Sequence, residues 1–192
     1  MDEDTAGAGD RSGESPRVRH LVLIGLMGAG KTAVGTRLAV RLGWQLRDSD
    51  ADIEALHHRT VRELREDLGT DALHEIEARH LLGALAAAGP SVVCPAASVV
   101  DRDDCLEAMR APGIVVVWLM VTPAVAAERF AGGPHRPRYG DDPAAFLARQ
   151  AESRNLRYGA IAALAIDAAV GTPDGLAVAI LDRLGPSLAA GG

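Results

Sequence analysis

A chain of 192 residues is long enough for one domain with a sizeable core, and at 48% hydrophobic but only 3% aromatic residues that core must be built from Ala, Leu, Val and Ile. A net charge of −6 argues against a nucleic-acid partner held by bulk electrostatics. Two cysteines make no disulfide framework, no apolar run reaches transmembrane length and the N-terminus is acidic rather than signal-like, so a cytoplasmic protein with no membrane partner is expected.

Residues 1–17 are rich in Gly, Ser, Asp and Glu and read as a disordered tail. The short apolar run His20-Leu21-Val22-Leu23-Ile24 reads as a buried parallel strand. It leads into Gly25-Leu26-Met27-Gly28-Ala29-Gly30-Lys31-Thr32, which fits G-x-x-x-x-G-K-[ST]. Val34, Leu38, Ala39 and Leu42 follow at helical spacing, and Gly43 ends the pattern. Trp44-Gln45-Leu46-Arg47 reads as a second strand delivering Asp48-Ser49-Asp50, and Ile53 and Leu56 begin a short helix. Thr60 and Glu63 form a capping box. A further helix is expected from about Asp71 to Ala87, stopped by Gly89-Pro90.

Ser91-Val92-Val93-Cys94 reads as the third strand, Asp101 to Arg110 as a helix, and Ile114 to Met120 as the clearest strand in the chain. Thr122-Pro123 opens the next helix. Gly132 to Gly140 is a loop, glycine-hinged at both ends and basic in the middle. A long helix from about Pro143 to Tyr158, a fifth strand Ala163-Leu164-Ala165-Ile166, and a last helix from Thr172-Pro173 to Leu184 complete a domain spanning 18–186. Residues 187–192 read as a flexible tail. Strands alternating with helices imply an α/β fold, a parallel sheet covered on both faces, with ligands at the carboxyl ends of the strands.

The glycine-rich stretch carries the chemistry. Its backbone curls so that successive N–H groups face phosphate oxygens, and the helix that follows adds its positive dipole end. The nucleotide is expected on Gly28, Ala29, Gly30, Lys31, Thr32 and Ala33. Lys31 supplies a mobile positive charge to the β- and γ-phosphates, and Thr32 a hydroxyl ligand for Mg²⁺. A GTPase would need an Asn-Lys-x-Asp element, but the only asparagine is Asn155. A large ATPase would need more chain and an acid directly after the third strand, where Cys94-Pro95-Ala96-Ala97 stands. A small-molecule or nucleotide kinase remains.

From about Leu21 to Leu184 the layout resembles the shikimate kinase family. The resemblance rests on the loop continuing into Val34-Gly35, on Asp48-Ser49-Asp50 followed by Ile53-Glu54, and on Val117-Trp118-Leu119. Arg136-Pro137 and Arg154, with Tyr158 four residues on, complete it. It implies a three-layer P-loop kinase fold with a five-stranded sheet in the order 2-3-1-4-5, ATP and Mg²⁺ as co-substrates, a small-molecule acceptor and a monomer. It also implies roles: Asp48 near Mg²⁺, Asp50 on the acceptor hydroxyl as a possible base, Arg136 over the transferred phosphoryl group, and Arg154 gripping an acceptor carboxylate. From the residues alone, the alternative readings are Asp48 and Asp50 as caps of the next helix, and Arg136 and Arg154 as solvated charges.

Three departures from the family's pattern fall in the acceptor half. His74 stands where a second carboxylate-clamping arginine is expected, and a mostly neutral imidazole cannot make that fork. Pro95-Ala96-Ala97 replaces three glycines, removing an N–H and adding side chains. Arg138-Tyr139 stands where leucines follow Arg-Pro. The expectation is an ATP-dependent kinase acting on a hydroxyl of a small acid or polyol. A nucleotide-binding protein without transfer activity and a gluconate-type kinase are the alternatives.

Overall fold

The apolar run His20–Ile24 is buried along its whole length as β1, the middle strand of a five-stranded parallel sheet. A computed structural model describes residues 17–130, 142–185 and 188. The other strands are β2 (Gln45–Asp48), β3 (Ser91–Cys94), β4 (Ile114–Met120) and β5 (Leu164–Asp167), in the order β2-β3-β1-β4-β5. The order expected from the family resemblance is the observed one. In register, Leu21 lies opposite Val92 on one side and Val115 on the other.

Alternation along these strands divides the core in two. Val22, Ile24, Val93 and Val116 face one way, towards α4 (Thr70–Ala86), α5 (Asp103–Met109) and α7 (Pro143–Ile161). Leu21, Leu23, Val92, Cys94, Val117 and Leu119 face the other, towards α1 (Lys31–Leu42) and α8 (Pro173–Leu184). Both faces are apolar because both are covered by helices, which is why β1 reads as a continuous hydrophobic run. With few aromatic rings available, aliphatic side chains fill both layers. The pair Trp118 and Tyr158, 5.8 Å between ring centroids, adds a ring contact on the α7 side.

A small third cluster, Ile53, Val61, Leu64 and Leu73, joins α2 (Ser49–His57), α3 (Val61–Leu68) and α4. The expected capping box at α3 is complete: the Thr60 side chain accepts from Glu63 N–H, and Glu63 accepts from Thr60 N–H at 2.8 Å. Two helix assignments differ from the sequence reading. The helix expected from Asp101 to Arg110 is α5, shorter at both ends, and Asp101 instead closes a 3₁₀ turn, Ala97–Asp101. Arg102, extended at φ −112° and ψ 130°, breaks them apart. The helix α2 also starts earlier than Ile53, at Ser49, because Asp48 caps it, and Leu56 is exposed. Among the described residues no helix is long and apolar enough to cross a membrane.

Close approach at Gly35 locks α1 onto the sheet. A Cβ there would lie 2.3 Å from Cys94 Sγ. Gly28, at φ +80°, sits so near α6 (Pro123–Phe130) that a Cβ would meet the Ala126 carbonyl oxygen at 2.2 Å. The glycine-rich loop is thus held from two sides at the carboxyl edge of the sheet.

Candidate active site

The loop from Gly25 to Gly30 joins the carboxyl end of β1 to the first turn of α1. Ala29 N–H donates to the Leu26 carbonyl at 3.1 Å, tightening the bend. Gly30 occupies the N-cap in the left-handed region, φ 92°, and provides no side-chain cap. The first-turn N–H groups of α1 therefore have no side-chain acceptor from their cap, and the helix dipole adds positive potential at the same point. That is the arrangement of an anion site. The Lys31 ammonium donates to the carbonyls of Gly25 at 3.0 Å and Leu26 at 3.2 Å, which folds it back over the loop.

The end of β2 supplies the partner. Asp48 lies opposite Cys94 in the β2–β3 pairing, which brings its carboxylate beside the loop. Thr32 Oγ1 donates to Asp48 Oδ2 at 2.7 Å, and Ala51 N–H donates to Asp48 Oδ1 at 3.3 Å. Asp48 is thus a helix cap, and it is also the acid nearest the Thr32 hydroxyl. The cap reading of this residue is the one the geometry displays.

A cleft of about 440 Å³ runs from this phosphate end towards α4 and α7. Gly28, Gly30, Lys31, Thr32, Ala33 and Asp48 line one part, and Asp50, His74, Pro95, Ala96, Ala97 and Arg154 the other. Ala29 is buried in the core beneath the loop and is not among the lining residues. Asp50 follows the cap by two residues, in the first turn of α2, which places it between the two ends.

Arg154 is the buried cation of the far end, only 5% exposed, so it is not a solvated surface charge. Its Nε donates to both oxygens of Asp101, at 3.2 and 3.0 Å, and its Nη2 to Asp101 Oδ2 at 2.6 Å. Its Nη1 donates to Gln150 Oε1 at 2.8 Å. This is a fork-to-fork pair with a third contact along the same helix. His74 is half-buried; burial, then the positive charge of Arg154, keep its pKa below the usual imidazole value and favour the neutral ring.

Glu77 projects from α4 beneath this group and is buried. The Ser98 hydroxyl donates to its Oε2. Burial pushes the Glu77 carboxyl up to about 7, with the negative charge of Asp50 acting in the same direction and the Ser98 hydrogen bond opposing it. The Tyr158 hydroxyl donates to the Ala97 carbonyl at 3.4 Å, and Arg157 Nη1 to the Val100 carbonyl at 3.0 Å, tying the 3₁₀ turn to α7.

The cleft gathers Lys31, Thr32, Asp48, Asp50, His74 and Arg154, which lie far apart in sequence. Arg136 and its loop lie outside the described residues. Arg129 donates to the Ala168 and Ala169 carbonyls at 2.8 and 2.9 Å, pinning α6 to the loop after β5. Cys94 is buried, its thiol pushed well up by burial, and behaves as a small apolar residue. His57 and His58 are the exposed end of α2.

Arg65, Glu77 and Gln150 line the cleft and Asp101 pairs with Arg154, yet none of them drew a role from sequence. Gln150 stands one helical turn before Arg154, a spacing that could have flagged it. Asp101 is 53 positions from Arg154 and carries no local signal.

Comparison with known proteins follows the same lines. A family model described as shikimate kinase matches residues 27–185. A shikimate kinase of Frankia casuarinae is 36% identical over 171 residues, covering 89% of this chain and 75% of that one. A solved shikimate kinase of Acinetobacter baumannii in complex with shikimate superposes with a TM-score of 0.81 at 26% identity, covering 87% of this chain and 93% of the other. A gluconokinase of Sinorhizobium meliloti shares the fold, with a TM-score of 0.62 at 24% identity over 91% and 98% of the two chains. With its glycine loop, its carboxylate pair and the match over most of its length, the chain belongs to the shikimate kinase family.

Proposed function

We propose that the chain moves the γ-phosphoryl group of Mg·ATP onto a hydroxyl of a small polyhydroxylated acceptor bound at the α4–α7 end of the cleft. The observation that carries the reading is the single cleft joining the Lys31–Thr32–Asp48 group to Asp50 and the buried polar groups beyond it. One end is built for phosphates and the other for a hydrogen-bonding ring, with a carboxylate between them.

The roles follow from position and charge. Lys31 and the first-turn N–H groups of α1 hold the phosphates and meet charge that builds on the equatorial oxygens. The donor set fits Mg²⁺: a hydroxyl and a carboxylate are hard oxygen ligands, and this ion commonly takes one or two protein ligands with the remainder from phosphate and water. Thr32 and Asp48 would hold it, Asp48 through water. When bound, Mg²⁺ neutralises phosphate charge and favours departure of the diphosphate. Asp50 accepts the hydrogen bond of the attacking hydroxyl and can take its proton as the new bond forms. Arg136 is assigned to the transferred group. His74 is assigned to the acceptor, and Arg154 to holding the acceptor end in shape through Asp101 and Gln150.

A reducing compartment suits the two buried free thiols, Cys94 and Cys105, in keeping with a cytoplasmic location. The acceptor site differs from that expected of the family at His74 and at Pro95-Ala96-Ala97, and we therefore infer that shikimate is a poor substrate. ADP release is to be measured with ATP and each of shikimate, quinate, gluconate and neutral cyclitols. Acceptor-dependent release with at least one of them, weaker with shikimate than with the best, supports the reading. Release with none of them above the ATP-only background favours a nucleotide-binding protein without transfer activity.

A further inference from the structure

Recognition of a carboxylate by arginine depends on an available fork: two parallel N–H groups aimed at two oxygens. In this cleft the fork is taken by the protein itself. Nε and Nη2 of Arg154 hold both oxygens of Asp101, and Nη1 holds Gln150. The Arg154 side chain is 6% exposed, so it has little room to present another face. Asp101 ends the 3₁₀ turn Ala97–Asp101, which α7 fastens through Arg157 to Val100 and through Tyr158 to Ala97. An acid tethered at this distance competes as an intramolecular ligand, at an effective concentration that a free small acid must overcome.

We propose that Asp101 is the specificity determinant of the acceptor site: a built-in carboxylate that fills the Arg154 fork and sets the cleft for an uncharged polyhydroxylated acceptor, against one bearing a carboxylate. The inference rests on the kinase reading above and narrows its acceptor class.

The surroundings act in the same direction. Half-buried His74, whose neutral form burial favours, offers no second guanidinium fork to the cleft. Arg65, another arginine of the described lining, commits its Nε to Thr70 Oγ1 at 3.2 Å. A ligand carboxylate would enter beside Asp50 and Glu77 and would add to the repulsion between them. Hydroxyl groups meet no such cost. They can donate to Asp50 and Glu77 and accept from the Gln150 amide, all of which line the cleft.

Shikimate and its methyl ester share ring and hydroxyls and differ in the charge of one group. The test is calorimetric titration of the full chain, loaded with Mg·ADP, with each ligand, repeated for Asp101→Ser and Asp101→Asn. The parent is expected to bind the ester at least as tightly as the acid. Each variant is expected to raise the acid-to-ester affinity ratio tenfold or more. If the parent binds neither ligand, the appearance of acid binding in either variant supports the proposal. A parent that already prefers the acid by tenfold, or two variants that keep Mg·ADP binding and gain nothing for the acid, overturns it. Mg·ADP titration of the parent is the separate readout of the kinase reading: its failure sinks that reading, and the acid–ester comparison can still be made on the unloaded chain.

Discussion

The Thr32 hydroxyl donates to Asp48 Oδ2 at 2.7 Å, joining the first turn of α1 to the end of β2. Asp48 also caps α2 through Ala51 N–H, so one carboxylate serves both the fold and the phosphate end. The two duties are separable. Asp48→Asn keeps a side-chain oxygen for the cap and removes the charge. Its unliganded melting temperature should stay within a few degrees of the parent while turnover falls at least tenfold. Asp48→Ala should additionally cost about 1 kcal/mol through the lost cap. Urea melts of both variants, alongside steady-state rates, read the two effects. Equal loss of stability in both would mean that the Thr32 contact, not the cap, is the structural one.

Lys31 is the only lysine in the chain. Amine acylation therefore reports on one side chain and the N-terminus, which a tryptic or chymotryptic mass map separates. Millimolar Mg·ATP should slow acylation at Lys31 severalfold and leave the N-terminal amine unaffected. Lys31→Ala should lose most of the rise in melting temperature that Mg·ATP gives the parent. Unchanged acylation with ATP present would place the phosphates elsewhere.

Glu77 gives a pH dependence whose sign is fixed. Its folded pKa, about 7, is raised above the unfolded value of 4.5 by burial. The folded state therefore holds a proton that the unfolded state releases. The contribution to stability is complete below about pH 4.5 and is lost as pH rises through 7, a change on the order of 3 kcal/mol for a shift of this size. Glu77→Gln keeps a hydrogen-bond acceptor for Ser98 and cannot ionise. The difference between parent and variant stabilities, measured by urea unfolding from pH 5 to 8, should grow in favour of the variant as pH rises. A constant difference would show that Glu77 keeps an ordinary carboxyl pKa.

Packing of α1 on β3 is testable at Gly35. The added methyl of Gly35→Ala would fall 2.3 Å from Cys94 Sγ. A destabilisation of about 1–3 kcal/mol is expected for an overpacked contact of this kind. Cys94→Ala removes the offending sulfur, so the double variant should recover part of that loss, a coupling visible in a double-mutant cycle. Additive losses would mean that the backbone, not Sγ, sets the clash.

The sequence showed the phosphate end and hid part of the acceptor end, for a physical reason. Lys31 and Thr32 are consecutive residues on one loop whose backbone demands glycines, so their chemistry is written locally. The order of the sheet came from family resemblance rather than from any pairing signal in the strands. The Arg154–Asp101 fork is a tertiary contact between a helix and a 3₁₀ turn, and nothing at either position announces the other. The 3₁₀ turn carries no sequence signal of its own, and Asp101 and the acids after it look like one helix start although Arg102 is extended between them. Leu56 misled for the opposite reason: it has the spacing of a buried residue, but α2 is short and its last turn faces solvent.

The kinase reading is exposed most directly at Asp50, the acid between the two ends of the cleft. The measurement is transfer of the γ-phosphoryl group of labelled ATP to the best acceptor found for the parent, by the parent and by Asp50→Asn, with the Mg·ADP melting shift recorded for both. The expected result is a loss of transfer of a hundredfold or more in the variant while its Mg·ADP shift stays that of the parent. An Asp50→Asn protein that transfers as fast as the parent would contradict the placement of the reacting hydroxyl, and with it the chemistry assigned to this cleft.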